Sequence, residues 1–347
     1  MLIVTESTTK IERKAFQIQI AAIASVLVFS NLGSALGQSR PAARAGQTGA
    51  CEFVARIISG DIRLAAGKEV CKEDYLQSAN DSTVEVLCYE SGKILQLKNG
   101  AINERCLQRS NNQAQVCIRE NRFSCFKVKG PGEDENVPTL ITPYSPLILN
   151  PRPVLSWTPV SNAMGAMGYI VQIKGPRVDW SMDVNSTSLL YPQEQPAMQP
   201  GIIYQVNVLA KMAEQKFIPK SSILMVMPSL KAQRTKAVIE RVQSLNLSPD
   251  SLAVDLTHIY KAEDLFSEAI EVLKERIQAK TKNPTIYRLL GDRYLEVGLP
   301  IEASHKYKIA IQYSKLRGNS VELAKAQTGL ELSRQSQLPT RINPAQK

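Results

Sequence analysis

The stretch "YRLLGDRYLEVG", residues 287–298, sets Tyr287, Leu290, Gly291, Tyr294 and Gly298 at helical spacings. Apolar and small residues recurring three and four positions apart mark one face of a helix. Whether it is a single amphipathic helix or one copy of a repeated unit decides the fold class. Sliding the sequence against itself by 34 residues places Leu252 on Ile286, Leu256 on Leu290, Tyr260 on Tyr294 and Glu268 on Glu302. The same shift sets Ala269 on Ala303, Leu273 on Tyr307, Lys274 on Lys308 and Ile277 on Ile311, without a gap. The stretch is therefore a repeat unit.

A 34-residue period carrying large, large, aromatic, small and large residues in that order resembles the tetratricopeptide repeat (TPR), a pair of antiparallel helices. The second copy meets the pattern with Tyr287, Leu290, Gly291, Tyr294, Gly298, Ala303, Tyr307 and Ala310. The first is degenerate, with Ala253 for the leading aromatic, Thr257 for the glycine and Arg276 for a small residue. Gly291, Ala303 and Ala310 let helices approach, and Leu290, Tyr294 and Tyr307 fill the space between them. Two pairs are few for a stack, which needs about three. Residues 231–244 and 319–335 are expected to close its ends, giving about six helices interrupted at "LNLSP" and "KTKNP". The resemblance implies a concave, partner-binding side made from the first helix of each pair, with Val254, His258, Lys261, Arg288, Asp292 and Leu295 facing it. Arg288 and Asp292 stand four apart and can equally pair with each other. The Lys and Asn arrangement with which some TPR proteins hold a peptide carboxylate is absent, so specificity is not readable.

Upstream, residues 142–229 hold short runs of period-two apolar content: "RPVLSWTPV", "GYIVQIKG", "VDWSMDV", "SLLYP" and "IYQVNVLAKM". Such runs at that spacing suit a β-sandwich. In "MQPGIIYQVNVLA" a Pro200-Gly201 turn precedes Tyr204, then Val206, Val208 and Ala210 on one strand face. This resembles the tyrosine corner of an immunoglobulin or fibronectin type III sandwich, with Trp157 and Tyr169 as core aromatics. Trp157 and Trp180 have a second reading as an exposed platform for sugar.

All six cysteines, Cys51, Cys71, Cys88, Cys106, Cys117 and Cys125, fall in one segment with gaps of 20, 17, 18, 11 and 8. Zinc sites usually pair cysteines two to four residues apart, so disulfides fit better and no metal is expected. Six cysteines allow 15 connectivities. Cys117 with Cys125 as a hairpin staple and Cys71 with Cys88 between neighbouring strands are two plausible bridges. Within residues 51–129, "EFVARIISGDIRLAAG" and "STVEVLCYESGKILQLKNG" alternate and are broken by Gly-Asp, Ser-Gly and Asn-Gly turns. The order Val54, Ile57, Gly60, Ile62, Leu64, Val84, Val86, Leu87, Gly92, Leu95 resembles the FecR-like domain of bacterial envelope proteins. "GPGEDENVP" opens a linker over 130–141.

Lys10, Arg13 and Lys14 precede an apolar run from Ile18 to Phe29, followed by small residues around Leu36. This reads as a signal peptide, residues 1–37, too short in its apolar run to span a membrane; an uncleaved anchor is the rival. Residues 38–50 read as a flexible lead and 336–347 as a disordered tail. The net charge of +10 lacks a run of like charge or basic and aromatic interleaving, so solvated surface is preferred over nucleic acid.

The expected fold class is multidomain β plus α: a disulfide-stapled β-rich domain, an Ig-like sandwich and a C-terminal TPR α-solenoid. This order resembles cyanobacterial-type envelope proteins, on "PYSPLILNPRPVLSW" (143–157) and "YRLLGDRYLEVGL" (287–299), which implies a periplasmic or cell-envelope location. No G-x-S-x-G, H-E-x-x-H, C-x-x-C or phosphate loop occurs, so no enzyme, catalytic residue or cofactor is expected. The expected function is an exported adaptor that binds a protein partner through a short TPR groove. The alternatives are cell-wall glycan binding through the β domains and an unrecognised hydrolase.

Overall fold

The computed structural model describes residues 51–61, 63–79, 82–106, 137–160, 168–211 and 221–337. The expected signal peptide, the lead, Cys117, Cys125 and residues 338–347 of the tail lie outside the described residues. The described part is β plus α, and no helix in it is long and apolar enough to cross a membrane.

Four strands, β1 (Phe53–Ser59), β2 (Glu69–Cys71), β4 (Val84–Cys88) and β5 (Lys93–Leu97), form an antiparallel sheet in the order β2-β1-β4-β5. Beside it β3 (Tyr75–Leu76) pairs with β6 (Gly100–Ala101), and the short helix α1 (Ile102–Cys106) follows where the sequence pattern suggested only strand. Ala55, Ile57, Val84, Val86 and Cys88 fill the small core of this region. Disulfides join Cys51 to Cys71 and Cys88 to Cys106. The expected Cys71–Cys88 bridge is corrected: β2 and β4 flank β1 on opposite sides. Two strand spacings of about 4.8 Å separate them, beyond the reach of a disulfide.

Two further sheets face each other. One is five-stranded, β11 (Val178–Val184), β10 (Tyr169–Gly175), β13 (Ile203–Ala210), β14 (Ser221–Val226) and β8 (Leu147–Ile148) in that order, with β8 parallel to β14. The other is β12 (Ser188–Leu190), β9 (Val154–Trp157) and β7 (Leu140–Thr142). Strand β7 begins inside the segment expected as linker, because Leu140 pairs with Trp157. Leu155 and Trp157 of one sheet meet Val171, Ile173, Val206 and Val208 of the other in one core. Tyr204 is fully buried and its hydroxyl accepts the Gln199 backbone N–H at 2.8 Å. Trp180 is 7% exposed and donates to the Tyr191 hydroxyl at 3.3 Å, so it packs inside and offers no sugar platform.

Six helices follow among the described residues: α2 (Ser229–Gln243), α3 (Pro249–Ala262), α4 (Phe266–Gln278), α5 (Pro284–Glu296), α6 (Pro300–Leu316) and α7 (Ser320–Gln335). The starts are written in the sequence. Ser248, Asn283 and Asn319 cap α3, α5 and α7 by accepting backbone N–H groups, and proline sits in the first turn of α3 and α5. Consecutive helices pack on each other, and α5 also packs on α3 and α7. Ala269 and Ala303 are fully buried where their helices meet their neighbours. A Cβ on Gly291 would lie 2.8 Å from the Tyr307 ring and one on Gly329 2.4 Å, so Tyr307 is held between two glycines.

The helices also pack on the four-stranded sheet. Ile58, Leu87 and Tyr89 share a core with Ile239, Val242 and Ile259. Gly92, at φ 61°, closes the β4–β5 turn, and a Cβ there would stand 2.3 Å from the His258 carbonyl oxygen. The turn requires the positive φ, and the approach of α3 forbids a side chain. Both faces of the sheet are thereby covered.

Candidate functional site

The repeat period brings α3, α5 and α7 side by side, and a cavity of about 520 Å³ lies between them and the rim of the four-stranded sheet. Val254, His258 and Lys261 of α3 line it, with Arg288 and Asp292 of α5. A second cavity of about 520 Å³ continues over the C-terminal halves of α5 and α7, sharing Lys261, Arg288 and Asp292 and adding Leu295 and Leu332. Five of the six expected residues thus meet in the first cavity, and Leu295 belongs to the second.

Arg288 anchors the wall. Its Nη1 donates to Asp292 at 2.7 Å and its Nε and Nη2 to Glu322 on α7 at 2.5 and 3.2 Å. Burial opposes the guanidinium charge, but Asp292 and Glu322 more than offset this and hold Arg288 protonated. Asp292 also accepts the Tyr307 hydroxyl at 2.8 Å. The pairing expected within α5 is therefore one arm of a link that joins α5 to α7.

The other cations also have carboxylate partners, although Arg293 Nη1 is enclosed without a hydrogen-bond partner. Arg293 pairs with Glu296 at 2.8 Å, Lys261 with Glu296 at 3.4 Å, and Lys325 with Glu52 at 2.9 Å. Hydrogen bonding from Lys325 holds the Glu52 carboxyl below its usual range. Glu52 precedes β1, so this contact carries the sheet region across to α7.

His258 is not an open groove residue. Tyr89, next to β4, stacks on it with ring centroids 4.5 Å apart and planes 8° from parallel. Its Nδ1 is enclosed without a hydrogen-bond partner. Burial first, then Arg293, Arg288 and Lys261, push the imidazole well below its usual value and keep it neutral. Beneath it, Arg56 of β1 pairs with Asp255 at 2.5 Å and Glu69 at 2.9 Å, and Tyr89 donates to Asp255 at 2.8 Å. Burial pushes the Asp255 carboxyl up, and Arg56 opposes it.

Several of these residues were not foreseen. Glu322 lies 34 positions after Arg288, as Arg288 does after Val254, so carrying the period into α7 would have found it. Arg56, set among apolar residues in "VARII", signals a charge that needs a buried partner. Tyr89 and Glu52 carried no such signal, because their role depends on how the sheet sits on the helices.

No protein-family model matches the chain, and no curated protein matches it. Among solved structures, the chain is similar to PcrH from Pseudomonas aeruginosa, at 14% identity and a TM-score of 0.27, over 30% of this chain and 83% of that one. It is also similar to PcrH in complex with the chaperone binding region of PopB, at 13% identity and 0.26, over 29% and 85%. Scores at this level decide neither fold nor partner.

Proposed function

We propose that the chain is an exported, non-enzymatic adaptor of the cell envelope that binds a protein partner along the concave side of a short TPR-like stack. In this reading the Ig-like sandwich and the FecR-like, disulfide-stapled sheet are supports that fix the stack in place. The observation that carries it is the pair of adjoining cavities over α3, α5 and α7. Elongated concavity on a rigid helical face suits a peptide segment of another protein. Supporting it, the sandwich is fastened to α4 by Ser267, which accepts the Tyr144 backbone N–H at 2.8 Å, and by Glu268, which accepts that of Leu149 at 2.6 Å. The glycan reading gains nothing from Trp180, whose ring is inside.

Photo-crosslinking on the full exported chain tests the proposal. A crosslinking amino acid in place of Thr328, which lines the second cavity, is expected to capture a protein in the envelope. One in place of Ile301, 70% exposed on α6, is expected not to. Equal capture at both, or none at either, overturns the reading.

A further inference from the structure

Ser267 and Glu268, in the first turn of α4, hold the sandwich, so the turns that close α4 and α6 lie at the opposite end of the stack. Tyr287 joins those two turns. Its hydroxyl donates to the Thr281 carbonyl at 3.0 Å, and its ring lies 5.3 Å from that of Tyr313 between centroids. Around this contact stand Lys280, Lys282, Lys315 and Arg317, all exposed. Among the described residues none of the four is in an ion pair, whereas their neighbours Lys274 and Arg276 are taken up by Glu271 and Asp250. Glu275, exposed in the last turn of α4, offsets one of these charges and leaves cations in excess. The helix dipole favours cations past the C-termini of α4 and α6, but it opposes Lys282, which directly precedes the Asn283 cap of α5. Leu316, 73% exposed, stands between Lys315 and Arg317.

We infer that this end of the stack docks on a membrane surface rich in anionic phospholipid. Headgroup phosphates take Lys280, Lys282, Lys315 and Arg317, and Leu316 enters the boundary between headgroups and acyl chains. Each cation brought to such a surface strengthens binding about fivefold. A soluble polyanion would satisfy the same four charges but would leave Leu316 in water, so the apolar side chain set among cations favours lipid. The contact is peripheral, since no described helix is long and apolar enough to cross a membrane. It does not depend on what occupies the trough.

The probe is a pair of unilamellar vesicles, phosphatidylcholine alone and phosphatidylcholine with roughly a third phosphatidylglycerol, sedimented with the full chain. Binding to the anionic vesicles only is expected, falling about tenfold or more between roughly 0.05 and 0.5 M salt. Lys280→Gly is the sharpest variant. Lys280 stands at φ 61°, a conformation that glycine adopts freely, so the charge is lost without strain on the fold. Combined with Lys282→Gln it is expected to weaken vesicle binding about twentyfold, at about fivefold for each charge, with the melting temperature unchanged or raised. Arg234→Gln with Lys236→Gln removes the same charge from exposed positions on α2 and is expected to cost less than about twofold. In Leu316→Trp, tryptophan emission is expected to move to the blue on anionic vesicles, as the ring leaves water. No binding to anionic vesicles, equal binding to neutral ones, equal losses in the two double variants, or binding by Leu316→Trp without a blue shift overturns the inference.

Discussion

Arg56 on β1 and Asp255 on α3, 199 positions apart, meet Nε to Oδ2 at 2.5 Å with side chains 2% and 0% exposed. Removing one member of a buried pair strands the other, at a cost of about 3–5 kcal/mol. Arg56→Met is therefore expected to lower unfolding free energy by that order in urea titration. Arg56→Met with Asp255→Leu is expected to recover most of it. A double variant no better than the single one shows that the pair is not the source of the loss.

Gly291→Ala reverses an ordinary rule. Alanine inside a helix normally stabilises by about 1 kcal/mol over glycine. Here the added methyl would stand 2.8 Å from the Tyr307 ring, and overpacking of this kind costs about 1–3 kcal/mol. A fall in melting temperature is expected, eased by Tyr307→Leu. A rise in the single variant would contradict the wedged tyrosine.

The two disulfides differ in shelter. Cys51 and Cys71 are half-buried, whereas Cys88 and Cys106 are enclosed. Thiol exchange needs access to a sulfur. Mild dithiol treatment followed by alkylation and peptide mapping is expected to label Cys51 and Cys71 well before Cys88 and Cys106. Simultaneous labelling would refute the ordering.

His258 links stability to pH. Folded, its imidazole is held well below the ordinary value near 6.5; unfolded, it takes a proton at about that value. The unfolded state then binds more protons below about pH 6.5, so stability falls as pH drops through about 6.5 toward the depressed folded value. Melting temperatures between about pH 7 and 5 are expected to decline in the parent and to decline less in His258→Gln.

The helical third was legible because its signals are local. Pro249 and Pro284 and the caps Ser248, Asn283 and Asn319 each act within a turn or two of their own position, and the 34-residue period links only neighbouring helix pairs. Tyr204 was readable for the same reason, since its hydroxyl reaches only to Gln199. The cysteine bridges were not, because strand order decides them and β1 lies between Cys71 and Cys88 in space. Register placed five of the six expected residues on the lining of one cavity, yet the stacking of Tyr89 on His258 was invisible. It arises from the docking of one region on another more than 160 positions away, for which alternation along β4 gives no sign.

Gly92 tucked beneath the His258 carbonyl has a practical corollary. The helices could not be cut away as a freestanding fragment, because Ile239, Val242 and Ile259 would lose the strands that shield them from water. Transplanting the repeat segment into another protein would mean carrying Arg56, Leu87 and Tyr89 with it, so inheritance and engineering alike must treat sheet and stack as one piece.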